Sequence, residues 1–155
     1  MPCKDAMIDK VISLTPDLTI EEALAILEAE RIRTAPVLSK DNTLLGMFGF
    51  MSVMKKVLPV SVTMADGLEH LDFARGAKPD IANRLKDLKA KTVDCAMDEK
   101  PIVLSPDLSV WEGILKLTKH GSPLPVVESQ TNTFLGILTE QSAITELEQI
   151  TSGSS

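Results

Sequence analysis

The stretch that decides the fold is Thr133-Phe-Leu-Gly-Ile-Leu-Thr-Glu-Gln-Ser142. Its apolar first half predicts a short buried strand, and Thr139 stands where a following helix would begin. A strand that runs into a helix leaves free backbone N–H groups at the junction, which favours an anion or a polar ligand there. The same pattern occurs earlier, in Thr43-Leu-Leu-Gly-Met-Phe-Gly-Phe-Met-Ser52. The chain is therefore organised around a duplication.

The duplication extends over two stretches of the chain in the same order. Ser13-Leu-Thr-Pro-Asp-Leu-Thr-Ile20 matches Val103-Leu-Ser-Pro-Asp-Leu-Ser-Val110, and Leu45-Gly46 matches Leu135-Gly136 at the same offset. Pro36-Val37 matches Pro125-Val126 after a slip of one residue. Because the order is kept throughout, we interpret the two stretches as an internal structural repeat.

Each copy predicts the element order β-α-β-β-α. The first strands, at residues 11–14 and 102–104, end before a proline, which disfavours helix in the residue that precedes it. Thr19-Ile-Glu-Glu22 and Ser109-Val-Trp-Glu112 are capping boxes that start the first helices. The apolar stripes of these helices are predicted to be Ile20, Ala23, Leu24, Leu27 and Ile32 in one copy, and Val110, Trp111, Ile114 and Leu117 in the other.

A hairpin and a second helix complete each copy. The predicted strands are residues 35–39 with 44–48, and residues 125–127 with 134–138. The second helices are predicted at residues 50–58 and 140–150. Between the copies, Ile81, Leu85 and Leu88 have helical spacing, with Asp80 as the expected N-cap. One copy alone is too small for a stable core, so we expect the two to share one.

Composition limits the function classes. A chain of 155 residues with 44% hydrophobic and 25% charged residues is expected to fold. Its net charge of -6 disfavours binding to nucleic acid or to an anionic membrane surface. The longest apolar run, residues 44–54, is far shorter than the roughly 20 residues of a membrane-spanning helix. Two cysteines are too few for a disulfide framework, so we expect a reducing, cytoplasmic setting.

The repeated motifs resemble those of a tandem pair of CBS domains, the Bateman module. The motifs are the opening Ala-Met, the Thr/Ser-Pro-Asp-Leu-Ser/Thr helix start, the Pro-Val strand and the Leu-Gly strand that runs into a helix. The resemblance implies an α+β (α/β two-layer) fold in which two β-α-β-β-α CBS repeats pack as an intramolecular pseudo-dimer. Repeat 1 is predicted at residues 1–58 and repeat 2 at 94–150. A linker at 59–93, with a helix near 80–90, joins them, and a flexible tail covers 151–155.

The resemblance also implies that an adenosyl compound (AMP, ATP or S-adenosylmethionine) binds in clefts between the repeats. The site residues carried over are Val11, Ile12, Thr34, Ala35, Gly49 and Ser52 in repeat 1, and Pro101, Ile102, Leu124, Pro125, Thr139 and Ser142 in repeat 2. The family's ribose-binding Asp is a Ser at positions 52 and 142, and losing one charge-assisted hydrogen bond costs roughly 1.5–3 kcal/mol. We therefore expect a weakened grip on the ribose. Thr139 keeps the hydroxyl of the family's motif, so we expect the repeat-2 cleft to be the better ligand site. The same hydroxyl also suits a plain N-cap.

By the same resemblance the chain is a regulatory, ligand-sensing module and not an enzyme, with no obligatory cofactor and an unknown regulated protein. A homodimer is expected through the second helices, whose exposed apolar residues would be Met51, Met54, Leu58, Ile144 and Leu147. The alternative is a ligand-independent dimerisation or protein-interaction module.

A remote alternative is a metal-dependent enzyme. It would rest on Asp66, Glu69, His70 and Asp72, whose oxygen and imidazole ligands lie close together in the linker. A solvated linker is the favoured interpretation of these residues. His120, near a helix end, has no nucleophile placed beside it.

Overall fold

The computed structural model describes residues 2–58 and 78–153. In chain order its elements are α1 (Ile20–Glu30), β1 (Thr34–Leu38), β2 (Leu44–Gly49), α2 (Phe50–Val57), α3 (Lys78–Lys89), α4 (Val110–His120), β3 (Leu124–Val127), β4 (Phe134–Leu138) and α5 (Glu140–Gly153). Single turns of 3-10 helix at Cys3–Asp5 and Val93–Cys95 open the two copies. The hairpins β1–β2 and β3–β4 each form a two-stranded antiparallel sheet. The fold is α+β, as predicted.

The first strand predicted for each copy is wrong. In residues 11–14 and 102–104, only Leu14 and Leu104 pair, each by a single parallel bridge, to Val37 of β1 and Val126 of β3. The next residue that would donate in a parallel ladder is two positions on. In the first copy it is Pro16, which has no N–H to give. The pairing therefore stops after one residue.

The first helices begin as predicted, but one predicted core residue faces solvent. Thr19 accepts a hydrogen bond from the N–H of Glu22 at 3.1 Å, and Ser109 accepts one from the N–H of Glu112 at 3.4 Å. Trp111 is 67% exposed, so its assignment to the buried stripe is wrong. Val110, one position before Trp111, and Gly113, two positions after it, are buried on the inner face of the helix. Trp111 lies off this face, so its indole is exposed.

The linker helix is present with a different start. α3 begins at Lys78, so Asp80 lies in its first turn and is not the N-cap. Leu88 belongs to the core of the first copy, and Ile81 and Leu85 pack against that core. α3 therefore contributes to the packing of the first copy.

The segment that opens each copy packs against the other copy. Cys3 lies in the core of the second copy, and Val93 lies in the core of the first. The backbones of Met47 and Asp98 exchange two hydrogen bonds of 3.0 and 2.8 Å, and Ile8 makes the same exchange on β4 at 2.8 and 2.9 Å. Each copy thus completes the other's core, which makes the pair one folding unit.

The glycine inside the quoted strand is required by this crossing. A Cβ atom on Gly136 would lie 2.4 Å from the carbonyl oxygen of Ile8. A Cβ atom on Gly46 would lie 2.5 Å from the carbonyl oxygen of Asp98. The repeated Leu-Gly pair therefore marks the two places where a crossing segment approaches the sheet.

The tips of the two hairpins meet at the centre of the molecule. The side-chain amide of Asn42 donates to the carbonyl of Phe134 at 2.9 Å, and that of Asn132 donates to the carbonyl of Leu44 at 2.8 Å. Both asparagines have left-handed backbones, with φ of 65° and 59°. A third apolar cluster, built from both hairpins, lies beside them. This contact joins the copies by a pseudo-twofold pair of hydrogen bonds.

We expect Asn42→Ala to lower the free energy of unfolding by about 2 kcal/mol. About half of this is the lost hydrogen bond. The rest is the cost of the left-handed backbone conformation for alanine, which lacks the polar side chain that makes this conformation tolerable for asparagine. Asn42→Gly loses the bond but keeps the backbone conformation, so it should lose less. Urea denaturation of both variants would measure this. A Gly variant that is no more stable than the Ala variant would contradict the role given to the backbone.

Candidate functional site

A cleft of about 780 Å³ lies where β2 runs into α2. It is called the main cleft below. Both copies line it: one wall comes from β1, β2 and α2, and the other from the segment that opens the second copy and from the end of α4. An adjoining cleft of about 290 Å³ shares Thr34, Met47, Asp98 and His120 with it and continues past Pro101 and Ile102 to β3. The two clefts form one continuous depression between the copies.

The structure brings most of the predicted site residues to this depression, but from both copies at once. Three residues predicted for repeat 1 line the main cleft. Four predicted for repeat 2 line the adjoining cleft. The first group is Thr34, Gly49 and Ser52, and the second is Pro101, Ile102, Leu124 and Pro125.

The remaining predicted residues lie elsewhere. Ser142 lines a separate cleft of about 380 Å³, called the Ser142 cleft, and Thr139 caps α5 beside it. Val11 packs against the central apolar cluster, and Ile12 is 40% exposed. Ala35 is fully buried, so it can offer only backbone atoms to a ligand.

The strand register shows that the two copies carry the threonine of the strand-to-helix junction on different strands. Ala35 pairs with Phe48, and Leu124 pairs with Leu138, so the counterpart of Thr34 in the second copy is Pro123. The first copy thus has a threonine on β1 opposite Gly49, whereas in the second copy the corresponding positions, just beyond the paired residues, are Pro123 and Thr139. Each junction keeps one threonine, but on opposite strands.

The side chain of Thr34 occupies the space that a residue at position 49 would need. A Cβ atom on Gly49 would lie 2.8 Å from the Thr34 hydroxyl and 2.4 Å from the carbonyl oxygen of Arg33. The Thr34 hydroxyl donates to the carbonyl of Phe48 at 2.9 Å, which leaves its oxygen able to accept a second hydrogen bond. Gly49 therefore does not deprive the main cleft of a hydroxyl. Only the cross-strand register could have shown this.

The two helix starts differ in their capping. In α5, Thr139 accepts from the N–H of Ser142 at 3.0 Å, and Ser142 accepts from the N–H of Thr139 at 2.9 Å. In α2, Ser52 accepts from the N–H of Gly49 at 3.1 Å, but Gly49 has no side chain to accept in return. The first-turn N–H of Ser52 therefore lacks an N-cap hydroxyl. The start of α2 is the more suitable of the two for an anion.

Charge separates the two clefts further. The main cleft is lined by Arg33, Lys55 and Lys56, with Asp98 as the only carboxylate among its described lining residues. At the Ser142 cleft the counterparts of the two lysines are Thr145 and Glu146, and Asp5 adds a second carboxylate. In a protein with a net charge of -6, the main cleft is a local concentration of positive charge. The capping and the charges therefore favour the main cleft as the ligand site. The sequence alone, through the hydroxyl of Thr139, favours the repeat-2 cleft.

Asp98 is a site residue that sequence reasoning missed. Its backbone N–H and carbonyl both form hydrogen bonds with the backbone of Met47. One oxygen of its carboxylate accepts from the N–H of Lys100 at 3.0 Å. The other carboxylate oxygen can accept from a ligand in the cleft. The counterpart of Asp98 in the first copy is Ile8, so the carboxylate occurs at one cleft only. Its only signal in the sequence is its place directly after the repeated Ala-Met.

The described residues contain no group of three or more His, Cys, Asp or Glu side chains that could hold a metal ion. The linker residues Asp66, Glu69, His70 and Asp72 lie outside the described part of the chain. Both cysteines are free. Burial raises the pKa of the Cys3 thiol, and the negative charge of Glu112 raises it further. In residues 2–58 and 78–153, no helix has the length and apolar character needed to cross a bilayer.

Comparison with known proteins gives consistent likenesses. The CBS domain family matches residues 3–59 and 90–149. The uncharacterized protein MJ1426 of Methanocaldococcus jannaschii is 27% identical over 155 residues, which cover 95% of this chain and 91% of that protein. These likenesses indicate no enzyme family.

Solved structures agree in fold. The CBS-pair protein CBSX2 of Arabidopsis thaliana has a TM-score of 0.71 at 19% identity, covering 97% of this chain and 96% of that one. CBSX2 in complex with AMP has a TM-score of 0.70 at 20% identity, with coverage of 97% and 98%. A CBS domain-containing protein of Bacillus anthracis also has a TM-score of 0.70, at 20% identity, with coverage of 96% and 94%. At these identities the likeness concerns the fold alone.

Proposed function

Because this chain belongs to the CBS domain family and carries two CBS domains in tandem, we propose that it is a regulatory module, and not an enzyme, that senses an adenosine nucleotide in the main cleft. The observation that carries the proposal is the charge of that cleft. Three cationic side chains and an open helix start surround one carboxylate, in a protein that is acidic as a whole. A phosphate and a diol, the two polar ends of a nucleotide, match these two kinds of group.

The phosphate is assigned to the start of α2. Arg33 and Lys55 line the cleft there, and the first-turn N–H groups of α2 add the positive end of the helix dipole. Arg33 can bind a phosphate with two parallel hydrogen bonds, whereas Lys55 acts as a point charge. S-adenosylmethionine carries a positive sulfonium and no phosphate, so this cleft suits it less well than AMP or ATP.

The ribose and the base are assigned to the rest of the depression. The carboxylate of Asp98 can accept from both hydroxyls of a vicinal diol, and it replaces the family's Asp, which is Ser52 here. The hydroxyl of Thr34, which donates to the carbonyl of Phe48, can accept a hydrogen bond from the same sugar. The adjoining cleft, with Ile102, Leu124 and three prolines, offers an apolar surface to a flat base.

Two further observations support the proposal. CBSX2, which has the same fold, is known in complex with AMP. The cleft lies between the two copies, so a ligand that prefers one packing of the copies would shift the module toward that packing. We also propose a reducing, cytoplasmic setting, because two cysteines are too few for a disulfide framework.

Calorimetric titration with AMP, adenosine and S-adenosylmethionine tests the proposal. We expect AMP to bind more tightly than the other two. Arg33→Gln with Lys55→Gln removes more than one charge-assisted bond, so it should weaken AMP binding by at least about tenfold to a hundredfold, the cost of a single such bond, and should leave adenosine binding nearly unchanged. The matched control is Lys116→Gln with Lys119→Gln on α4, which removes the same charge outside the clefts. Absence of saturable AMP binding would refute the proposal, as would an equal loss in the control.

A homodimer is part of the proposed function. Met51 and Met54 are 66% and 60% exposed on α2, and Ile144 and Leu147 are 55% and 44% exposed on α5. Exposed apolar side chains on neighbouring helical turns form a surface that a second copy could cover. We expect a concentration-dependent dimer that Met54→Asp disrupts.

Light scattering of the wild-type and Met54→Asp proteins measures this. The control is Lys40→Asp, a new acidic residue in the β1–β2 turn. A wild-type protein that stays monomeric at high concentration would contradict the dimer. A dimer that binds no nucleotide would instead favour the alternative, a ligand-independent interaction module.

A further inference from the structure

A second basic cleft continues the main cleft beyond α2. It has a volume of about 290 Å³ and is called the α3 cleft below. Its lining residues are Lys56, Arg84, Asp87, Leu88, Lys91 and Cys95. Lys56 lines both this cleft and the main cleft, so the two clefts adjoin at this residue. The two clefts together form a row of positive side chains along α2 and onto α3.

From this row we infer that the preferred ligand of the main cleft is an adenosine nucleotide with an extended polyphosphate chain, such as ATP, whose outer phosphates pass Lys56 into the α3 cleft. The inference rests on the proposed function and specifies its ligand. A monophosphate held by Arg33 and Lys55 would end before the α3 cleft. Additional phosphates would reach the cations that follow.

The geometry of α2 supports this path. Ser52 and Lys56 are one helical turn apart, about 6 Å along the axis. A phosphate chain that starts beside Ser52 and runs along α2 would come within reach of Lys56. Beyond the end of α2, the guanidinium group of Arg84 donates to the carbonyls of Lys56 and Leu58 at 3.4 and 3.5 Å. These contacts hold Arg84 against the end of α2, and its other N–H donors remain able to bind an anion.

The charges of the α3 cleft also favour an anion. Lys56, Arg84 and Lys91 oppose one carboxylate, that of Asp87. Such an excess is notable in a chain with 16 basic and 22 acidic residues. It has no counterpart at the Ser142 cleft, because the linker helix is outside the repeat and Glu146 takes the place of Lys56. Among residues 2–58 and 78–153, the long anion path therefore occurs beside the main cleft and not beside the Ser142 cleft.

Competition titrations with AMP, ADP and ATP, in buffer with EDTA and again with magnesium, test the inference. We expect affinity to increase with phosphate number, with ATP at least about tenfold tighter than AMP, the effect of one charge-assisted bond. Arg84→Gln with Lys91→Gln should weaken ATP binding at least about tenfold and leave AMP binding within about twofold. The matched control on the same helix is Lys86→Gln with Lys89→Gln, which should change neither.

The outcomes separate this inference from the proposed function. If AMP does not bind, the proposed function fails. If AMP binds but ATP is no tighter, or if the α3 variant weakens both equally, the inference alone is overturned. Arg84 also contacts the end of α2, so Lys91→Gln by itself provides a variant that leaves this contact intact. Unchanged ATP binding in Lys91→Gln would likewise overturn the inference.

Discussion

Phe48→Ala is expected to lower the free energy of unfolding by about 3–5 kcal/mol. Phe48 is fully buried on β2, in the core of the first copy. Its removal would leave a cavity beneath the strand that runs into α2, and the surrounding side chains could close it only in part. Because small domains are stable by only about 5–15 kcal/mol, this one change removes a large part of the total. Urea denaturation followed by circular dichroism measures it.

The matched control lies two residues further along the chain. Phe50 is 41% exposed at the start of α2, so Phe50→Ala should cost about 1 kcal/mol or less. Equal losses for the two variants would show that the first copy is not packed around β2. The backbone carbonyl of Phe48, which accepts from the Thr34 hydroxyl, is kept in Phe48→Ala, so the expected loss comes from side-chain packing alone.

Asp98→Asn is expected to weaken AMP binding about tenfold to a hundredfold, because a neutral amide replaces the charged acceptor of the ribose hydroxyls. The shape of the side chain is kept, and the amide oxygen can still accept from the N–H of Lys100. The fold should therefore be unaffected. Calorimetry on the wild-type and variant proteins measures the change.

A ligand without the 2′-hydroxyl provides the control for this prediction. 2′-deoxy-AMP should bind the wild-type protein more weakly than AMP does, and Asp98→Asn should add little to that loss. The two changes remove the same interaction, so their effects should not add. Additive losses would mean that Asp98 acts through the charge of the cleft and does not contact the ribose.

The sequence predicted the fold well because the repeat, the caps and the hairpins are local patterns. Thr19 and Ser109 start their helices where hydroxyl groups precede a helical stripe. The first strands failed because a single bridge at Leu14 or Leu104 has the same apolar signature as a strand. The prediction for Trp111 was wrong because the sequence pattern does not distinguish an aromatic residue beside the apolar stripe of a helix from one within it.

The site was less predictable because it is formed across the copies. A motif search assigns residues to the copy in which they occur, whereas the main cleft combines Ser52 of the first copy with Asp98 of the second. The compensation of Gly49 by Thr34 depends on strand register, which a one-residue slip in the repeat conceals. The positive charge of the main cleft depends on Arg33 and on the adjacent pair Lys55-Lys56, which the hairpin β1–β2 separates along the chain.

A crystal structure of the chain grown with AMP tests the central claim most directly. The account predicts the nucleotide in the main cleft, with its phosphate at the start of α2 against Arg33 and Lys55 and its ribose hydroxyls on Asp98. AMP bound in the Ser142 cleft instead, or an empty main cleft in crystals grown with saturating AMP, would contradict it.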